Sequence, residues 1–271
     1  GGEFYAIHAI SRVETQTAEE VSLMSGHSKW STIKRAKGAT DAKRGALFTK
    51  LARDITLAVQ DGGGDPEMNF RLRLAMERAK SNNMPMESIG RTIKKASGEG
   101  SDGEQFEEIT YEGYGPGGGA ILLQALTTNR NRTASDIRSA FNKGGGNLGD
   151  AGCVAWNFES KGMVTIETAD EERADELTMI AIESDAEDVK YEEGILEIYT
   201  APENLQKVLQ ALEGQKAAIS SSDISLVPKV TIALDDKASE QTLRLLDNLE
   251  ELADVQKAYT NADFPPEVLE Q

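Results

Sequence analysis

Seven lysines and arginines fall between residues 29 and 50: Lys29, Lys34, Arg35, Lys37, Lys43, Arg44 and Lys50, with Arg53 three residues on. His27 and Trp30 stand among the first of them and supply flat rings. Cations at this density neutralise phosphates and release condensed counterions, which makes binding salt-dependent. A tryptophan in their midst can stack on an unpaired base or wedge beside a groove. The same ring can also anchor the segment on a helical core. The run reads as a nucleic-acid interface in which the cations hold phosphates and His27 and Trp30 meet bases or sugars. No helix-turn-helix, RRM or KH pattern accompanies it, so nothing here reads base sequence.

The basic surplus is local. Residues 24–100 carry 15 Lys and Arg against 8 Asp and Glu, a balance of +7, whereas residues 101–271 carry 13 against 34, a balance of −21. The whole chain stands at −17. Such asymmetry suggests a polyanion-binding module joined to domains that polyanions repel. The plainer alternative is a set of helices with solvated Lys/Arg faces.

Other chemistries are thinly supplied. Cys153, the only cysteine, excludes an intramolecular disulfide and a Cys-based zinc finger, and its neighbours Val154, Ala155 and Trp156 suit a small buried hydrophobe. Two histidines, His8 and His27, are too few for a His-cluster metal site. Gly115-Pro116-Gly117-Gly118-Gly119 lacks the Gly-Lys-Ser/Thr of a phosphate loop and leads into a strand, so it reads as a hairpin turn. Gly144–Gly146 reads as a helix stop. The acid pairs Glu171-Glu172, Glu192-Glu193 and Asp235-Asp236 are sequence neighbours that do not face one another, and read as solvated surfaces. The expectation is a protein with no catalytic role, cofactor, metal or small-molecule substrate.

No apolar run reaches the ~18–20 residues of a membrane span, so no membrane partner is expected. Residues 1–23 carry Glu14, Glu19 and Glu20 and lack the pattern of a signal or transit peptide. They read as an extension foreign to a natural chain that starts at Met24. The expected location is the cytoplasm.

The cations must be positioned by helices. Leu47, Leu51, Ile55 and Ala58 repeat at helical spacing in 41–60, with Lys43, Lys50 and Arg53 together on another face. Asp65-Pro66 predicts the start of a second helix and Pro85 that of a third, running to Ala96. A Gly/Ser stretch over 97–103 then reads as a linker that lets the basic segment move. From residue 106 strands and helices alternate: strands at 109–114, 120–127 and 154–159, with a helix at 133–143. Residues 161–227 follow the β-α-β-β-α-β order of a ferredoxin-like unit. A tail of strand (229–234), helix (239–252) and strand (255–260) cannot form a sheet alone, so it is predicted to return to the sheet begun at 106. The predicted fold class is α+β: a helical domain over 24–100, then two α/β ferredoxin-like domains. One of them, 161–227, is inserted into the other, which comprises 106–159 plus 229–264.

Several short motifs occur together in order: Gly26-His27-Ser28-Lys29-Trp30, Asp41-Ala42-Lys43-Arg44-Gly45, Phe48-Thr49-Lys50, Gly63-Gly64-Asp65-Pro66, Asn83-Met84-Pro85 and Asn129-Arg130-Asn131-Arg132-Thr133. By these the chain, from Met24 to about Phe264, resembles the YebC family. That family takes in PmpR-type transcriptional regulatory proteins and the mitochondrial translational activator of cytochrome c oxidase. The resemblance implies three domains, the third inserted in the second, and a role in gene expression without catalysis. It implies two alternative partners, promoter DNA or the ribosome with its rRNA and tRNA. In the second case the protein would help synthesis of proline-rich stretches.

Overall fold

A computed structural model of the chain describes residues 41–98, 106–192, 194–265 and 268, the side chains of 41–43 excepted. Three helices come first: α1 (Asp41–Gly62), α2 (Phe70–Ser81) and α3 (Met86–Ala96). Leu51, Ile55, Ala58 and Val59 of α1 meet Leu72 and Ala79 of α2, closed by Met84 and Ile89. Gly63, at φ 85°, ends α1 in a conformation that favours glycine.

The second helix starts four residues later than the Asp65-Pro66 cap predicts. Asp65 closes a turn by accepting the Glu67 N–H at 2.9 Å, and Asn69 is the cap. Asn69 accepts the Leu72 N–H at 3.0 Å and donates to the carbonyls of Ala58 and Gly63 at 2.7 and 2.8 Å. One buried amide thus ties the end of α1 to the start of α2, which the Asp65 carboxylate, an acceptor only, cannot do.

The middle domain holds β1 (Glu107–Tyr114), β2 (Ala120–Thr127), α4 (Arg130–Lys143) and β3 (Asn147–Leu148). Its sheet has the strand order β3-β1-β2-β9, where β9 (Val255–Thr260) follows α7 (Asp236–Glu251) near the C-terminus. The Gly115–Gly119 turn joins β1 to β2 as an antiparallel hairpin, closed by the Gly115 N–H to the Gly119 carbonyl at 2.8 Å. Helices α4 and α7 cover one face through Ile137, Phe141, Leu245 and Leu249. The other face packs Leu122 and Tyr259 on Val154 and Phe158.

That second face is closed by the segment 149–157, held by Glu112. Its buried carboxylate accepts the N–H groups of Gly152, Val154 and Ala155 at 2.7, 2.8 and 2.7 Å. Burial raises the Glu112 pKa, but the three backbone donors outweigh it and hold the group below the ordinary range. The stability it contributes is full above the unfolded pKa near 4.3 and is lost as pH falls through the lower folded value. Glu112→Gln is expected to cost about 2 kcal/mol, the scale of hydrogen bonds to a charged acceptor. Denaturant unfolding at pH 7 checks the loss. Scans down to pH 3 should show the variant less acid-sensitive than its parent.

The inserted domain runs β4 (Phe158–Glu167), α5 (Glu171–Glu183), β5 (Ala186–Glu192), β6 (Ile195–Thr200), α6 (Leu205–Gly214) and β7 (Ile219–Pro228). Its antiparallel order β5-β6-β4-β7 is the ferredoxin-like arrangement. Two sequence readings are corrected here. Residues 155–157 form a 3-10 turn rather than strand, because the chain must bend around Glu112. The strand then starts at Phe158 and runs unbroken past the predicted boundary at 160, paired with β7 from Phe158↔Pro228 onward. Gly162 permits this run, since a Cβ there would meet Leu205 Cβ at 2.9 Å. The predicted strand at 229–234 shrinks to β8 (Ile232–Ala233), parallel to β10 (Ala262–Asp263), because Asn157 clamps the backbone of Val230. No helix among the described residues is long and apolar enough to cross a membrane.

The three domains meet at one charged cluster. Arg78 of α2 pairs with Asp54 of α1 at 3.1 Å and with Asp223 of β7 at 3.7 Å. Lys257 of β9 binds Asp223 at 2.5 Å. Beside it Leu74 of α2 enters the apolar core of the inserted domain. The basic helices are therefore docked, and the movable arm predicted from the 97–103 linker does not include them.

Candidate nucleic-acid interface

Helical spacing puts Lys50 and Arg53 on one face of α1, and both reach the turn between α7 and β9. Lys50 Nζ donates to the Glu250 carbonyl. Arg53 donates to the Ala253 carbonyl and pairs with Asp254 at 3.3 Å, its guanidinium lying 5.4 Å from the Phe106 ring centre. The Arg53 side chain is only 20% exposed. Both are expected phosphate binders, and here each has partners within the protein. They hold the helical domain to the middle domain, and a cation already matched with carbonyl and carboxylate has little to offer a phosphate.

Arg44 is exposed on α1, nine residues from Arg53, or about 13 Å along the helix. The side chain of Lys43, and His27, Lys29, Trp30, Lys34, Arg35 and Lys37 altogether, lie outside the described residues. Arg91, Lys94 and Lys95 are exposed on α3.

A second basic element escaped sequence reasoning. Helix α4 carries Arg130, Arg132, Arg138 and Lys143 against one acid, Asp136, within the part of the chain that stands at −21. The regional balance conceals it; a count over single predicted elements finds it. Along one exposed stripe Asn131, Ser135, Arg138 and Asn142 recur at i, i+4, i+7 and i+11. Hydroxyl, amide and guanidinium donors in a row suit a sugar-phosphate backbone.

Asp254 joins this helix to α1. Asn129 caps α4 by accepting the Arg132 N–H at 3.1 Å. Thr133 Oγ1 donates to Asp254 at 2.7 Å, and Arg132 binds the same carboxylate oxygen at 2.7 Å. Arg53 approaches the other oxygen. Burial raises the Asp254 pKa, but the bonds from Arg132 and Thr133 and the charges of Arg132 and Arg53 bring it below the ordinary range. Two small clefts flank the α4 N-terminus. One, of about 210 Å³, lies between Arg53, Arg132, Asp136 and Leu252. The other, of about 310 Å³, lies between Thr110, Tyr111, Arg130 and Asn131. Arg130 and Arg132 line these clefts, 66% and 52% exposed. Arg132 completes the junction through Asp254 while most of its surface faces solvent.

Comparison with known proteins gives a consistent picture. Residues 28–99 match the TACO1/YebC protein N-terminal domain, and residues 106–262 match the TACO1/YebC second and third domain. A "Probable transcriptional regulatory protein" of Dehalococcoides mccartyi strain CBDB1 is 54% identical over 248 residues, covering 92% of this chain and 98% of that protein. Another so named, from Moorella thermoacetica, is 50% identical over 250 residues, covering 92% and 99%. The crystal structure of a conserved hypothetical protein from Aquifex aeolicus superposes with a TM-score of 0.76 at 46% identity, covering 85% of this chain and 95% of that one. With both domain descriptions matched across most of its length, the chain belongs to the TACO1/YebC family.

Proposed function

We propose that this protein is a non-enzymatic, nucleic-acid-binding regulator of gene expression, acting on DNA as a transcriptional regulator. The observation that carries the reading is the gathering of cations in Lys29–Arg44 and on α4, on a chain otherwise strongly acidic. The names of its relatives support it. Lys29, Lys34, Arg35, Lys37, Lys43 and Arg44 bind phosphates, His27 and Trp30 contact bases or sugars, and Arg130 and Arg138 extend the surface.

The test is duplex DNA binding by the full chain over a range of salt. Lys43→Glu with Arg44→Glu is expected to lower the slope of log K against log salt by about 1.8, two phosphate contacts at about 0.9 each. Arg53→Ala should leave that slope unchanged, because its partners are within the protein. A flat salt response of the unaltered chain, or no loss in the double variant, overturns the proposal.

One observation favours a second reading, a translation factor gripping rRNA or tRNA on the ribosome. Among the described residues of the helical domain and α4, the exposed cations are spread over four helices, among them Arg44 on α1, Arg71 and Lys80 on α2, Arg91, Lys94 and Lys95 on α3 and Arg138 on α4, rather than gathered on one recognition helix. Structured RNA is recognised by shape and phosphate contacts, which need no such helix. Travel with ribosomes at moderate salt, without tight duplex-DNA binding, would decide for it.

A further inference from the structure

We propose that Tyr114 and Trp156 form a stacking platform for an unpaired nucleobase, on the opposite face of the middle sheet from α4. The inference rests on the nucleic-acid reading above and adds a site that reading does not contain.

The two rings are exposed but not loose. Trp156 is 67% exposed and Tyr114 40%. Trp156 Nε1 and Tyr114 Oη both donate to the Cys153 carbonyl, each at 3.0 Å, which brings both ring edges to one oxygen. The segment carrying that carbonyl is held in turn by Glu112 through three backbone N–H groups. Val230, 61% exposed, is clamped through its N–H and carbonyl by the Asn157 amide at 2.9 Å and again by Asn261 at 3.0 Å. Eight hydrogen bonds beyond the sheet ladder thus hold these apolar side chains open to solvent.

A rigid exposed aromatic pair marks an interaction site, because the rings lose little conformational freedom when a ligand covers them. The chemistry narrows the ligand. Both ring donors are spent on the Cys153 carbonyl, so the rings offer chiefly their apolar faces. That suits base stacking, which tolerates any base because each has a π-face. Two rings and one valine match one or two bases and fall far short of the ~800 Å² per partner of a protein interface. Lys229, exposed beside the patch, donates its backbone N–H to the Asn157 carbonyl at 2.7 Å and brings a cation within reach of a strand crossing the rings. A paired base presents no free face, so the platform discriminates single strands from duplex.

The test uses the full chain carrying Trp30→Phe, which leaves Trp156 as the sole tryptophan. The probes are oligo(dT), oligo(U) and a duplex of equal length. Single strands are expected to quench Trp156 fluorescence and the duplex to leave it unchanged. Trp156→Ala should weaken single-strand binding about 5- to 150-fold, the 1–3 kcal/mol of one stacked base. Its salt slope should not change, since stacking releases no counterions. Trp156→Phe should recover most of the affinity. An unchanged thermal midpoint confirms that the exposed substitution leaves the fold intact. The stronger of the two oligonucleotide arms distinguishes DNA from RNA. Binding without quenching, or Trp156→Ala binding like its parent, overturns the platform and leaves the patch to a protein partner. If Lys43→Glu/Arg44→Glu still loses affinity in that case, the nucleic-acid function stands. If the unaltered chain binds no nucleic acid, both readings fall.

Discussion

Replacing Arg78 with leucine is expected to lower the unfolding free energy by about 2–3 kcal/mol and to loosen all three domains together. Arg78 pairs with both Asp54 of the helical domain and Asp223 of the inserted domain. Without it Asp223 keeps Lys257 and Asp54 loses its salt-bridge partner, in a site where burial already pushes the Asp54 carboxyl up. Breaking a fully buried pair costs about 3–5 kcal/mol; here a fifth to a third of each side chain stays in solvent, which lowers the figure. The loss should show as a lower denaturant midpoint and, in solution scattering, a larger radius of gyration. Arg78→Leu together with Asp54→Leu should recover part of the stability, since one stranded carboxylate is then gone. A single variant as compact and stable as its parent would show that the Leu74 contact alone docks the helices.

Asp254→Ala is the second large effect, at about 2–3 kcal/mol, because a buried hydroxyl and two guanidiniums lose one acceptor. Arg53 and Arg132 are left facing each other, and Thr133 keeps only Thr127 and the Asn129 carbonyl. The pH dependence has a definite sign. The folded carboxyl titrates below its unfolded value near 3.9, so its contribution is complete above that pH and fades as pH drops through the folded value. The variant is therefore expected to lose stability at pH 7 and to approach its parent as pH is lowered below the unfolded value. Unfolding measured at both ends of that range checks it. A variant equally destabilised at both would show that the carboxylate charge is not what matters.

The fold class was legible because periodicity changes along the chain. Leu51, Ile55 and Ala58 repeat as a helix, and the β-α-β-β-α-β order after residue 158 allows few arrangements. Local readings failed where the deciding partner is remote in sequence. Asp65 looks like a cap, but Asn69 wins because it also reaches Ala58 and Gly63. Val154 to Glu159 reads as one strand, yet Glu112, some 40 residues earlier, bends it and turns Trp156 outward. Lys50 and Arg53 share a face that periodicity identifies. What that face meets, the turn at 250–254, lies about 200 residues away. The basic character of α4 was hidden by averaging over an acidic region.

The central claim is that this chain binds nucleic acid through its basic segment and α4. Crosslinking in cells, followed by sequencing of the bound nucleic acid, tests it most directly. The account predicts crosslinks that fall sharply in the Lys43→Glu/Arg44→Glu variant, with promoter DNA enriched over ribosomal RNA. Recovery no greater than background, or recovery unaffected by that variant, would contradict it.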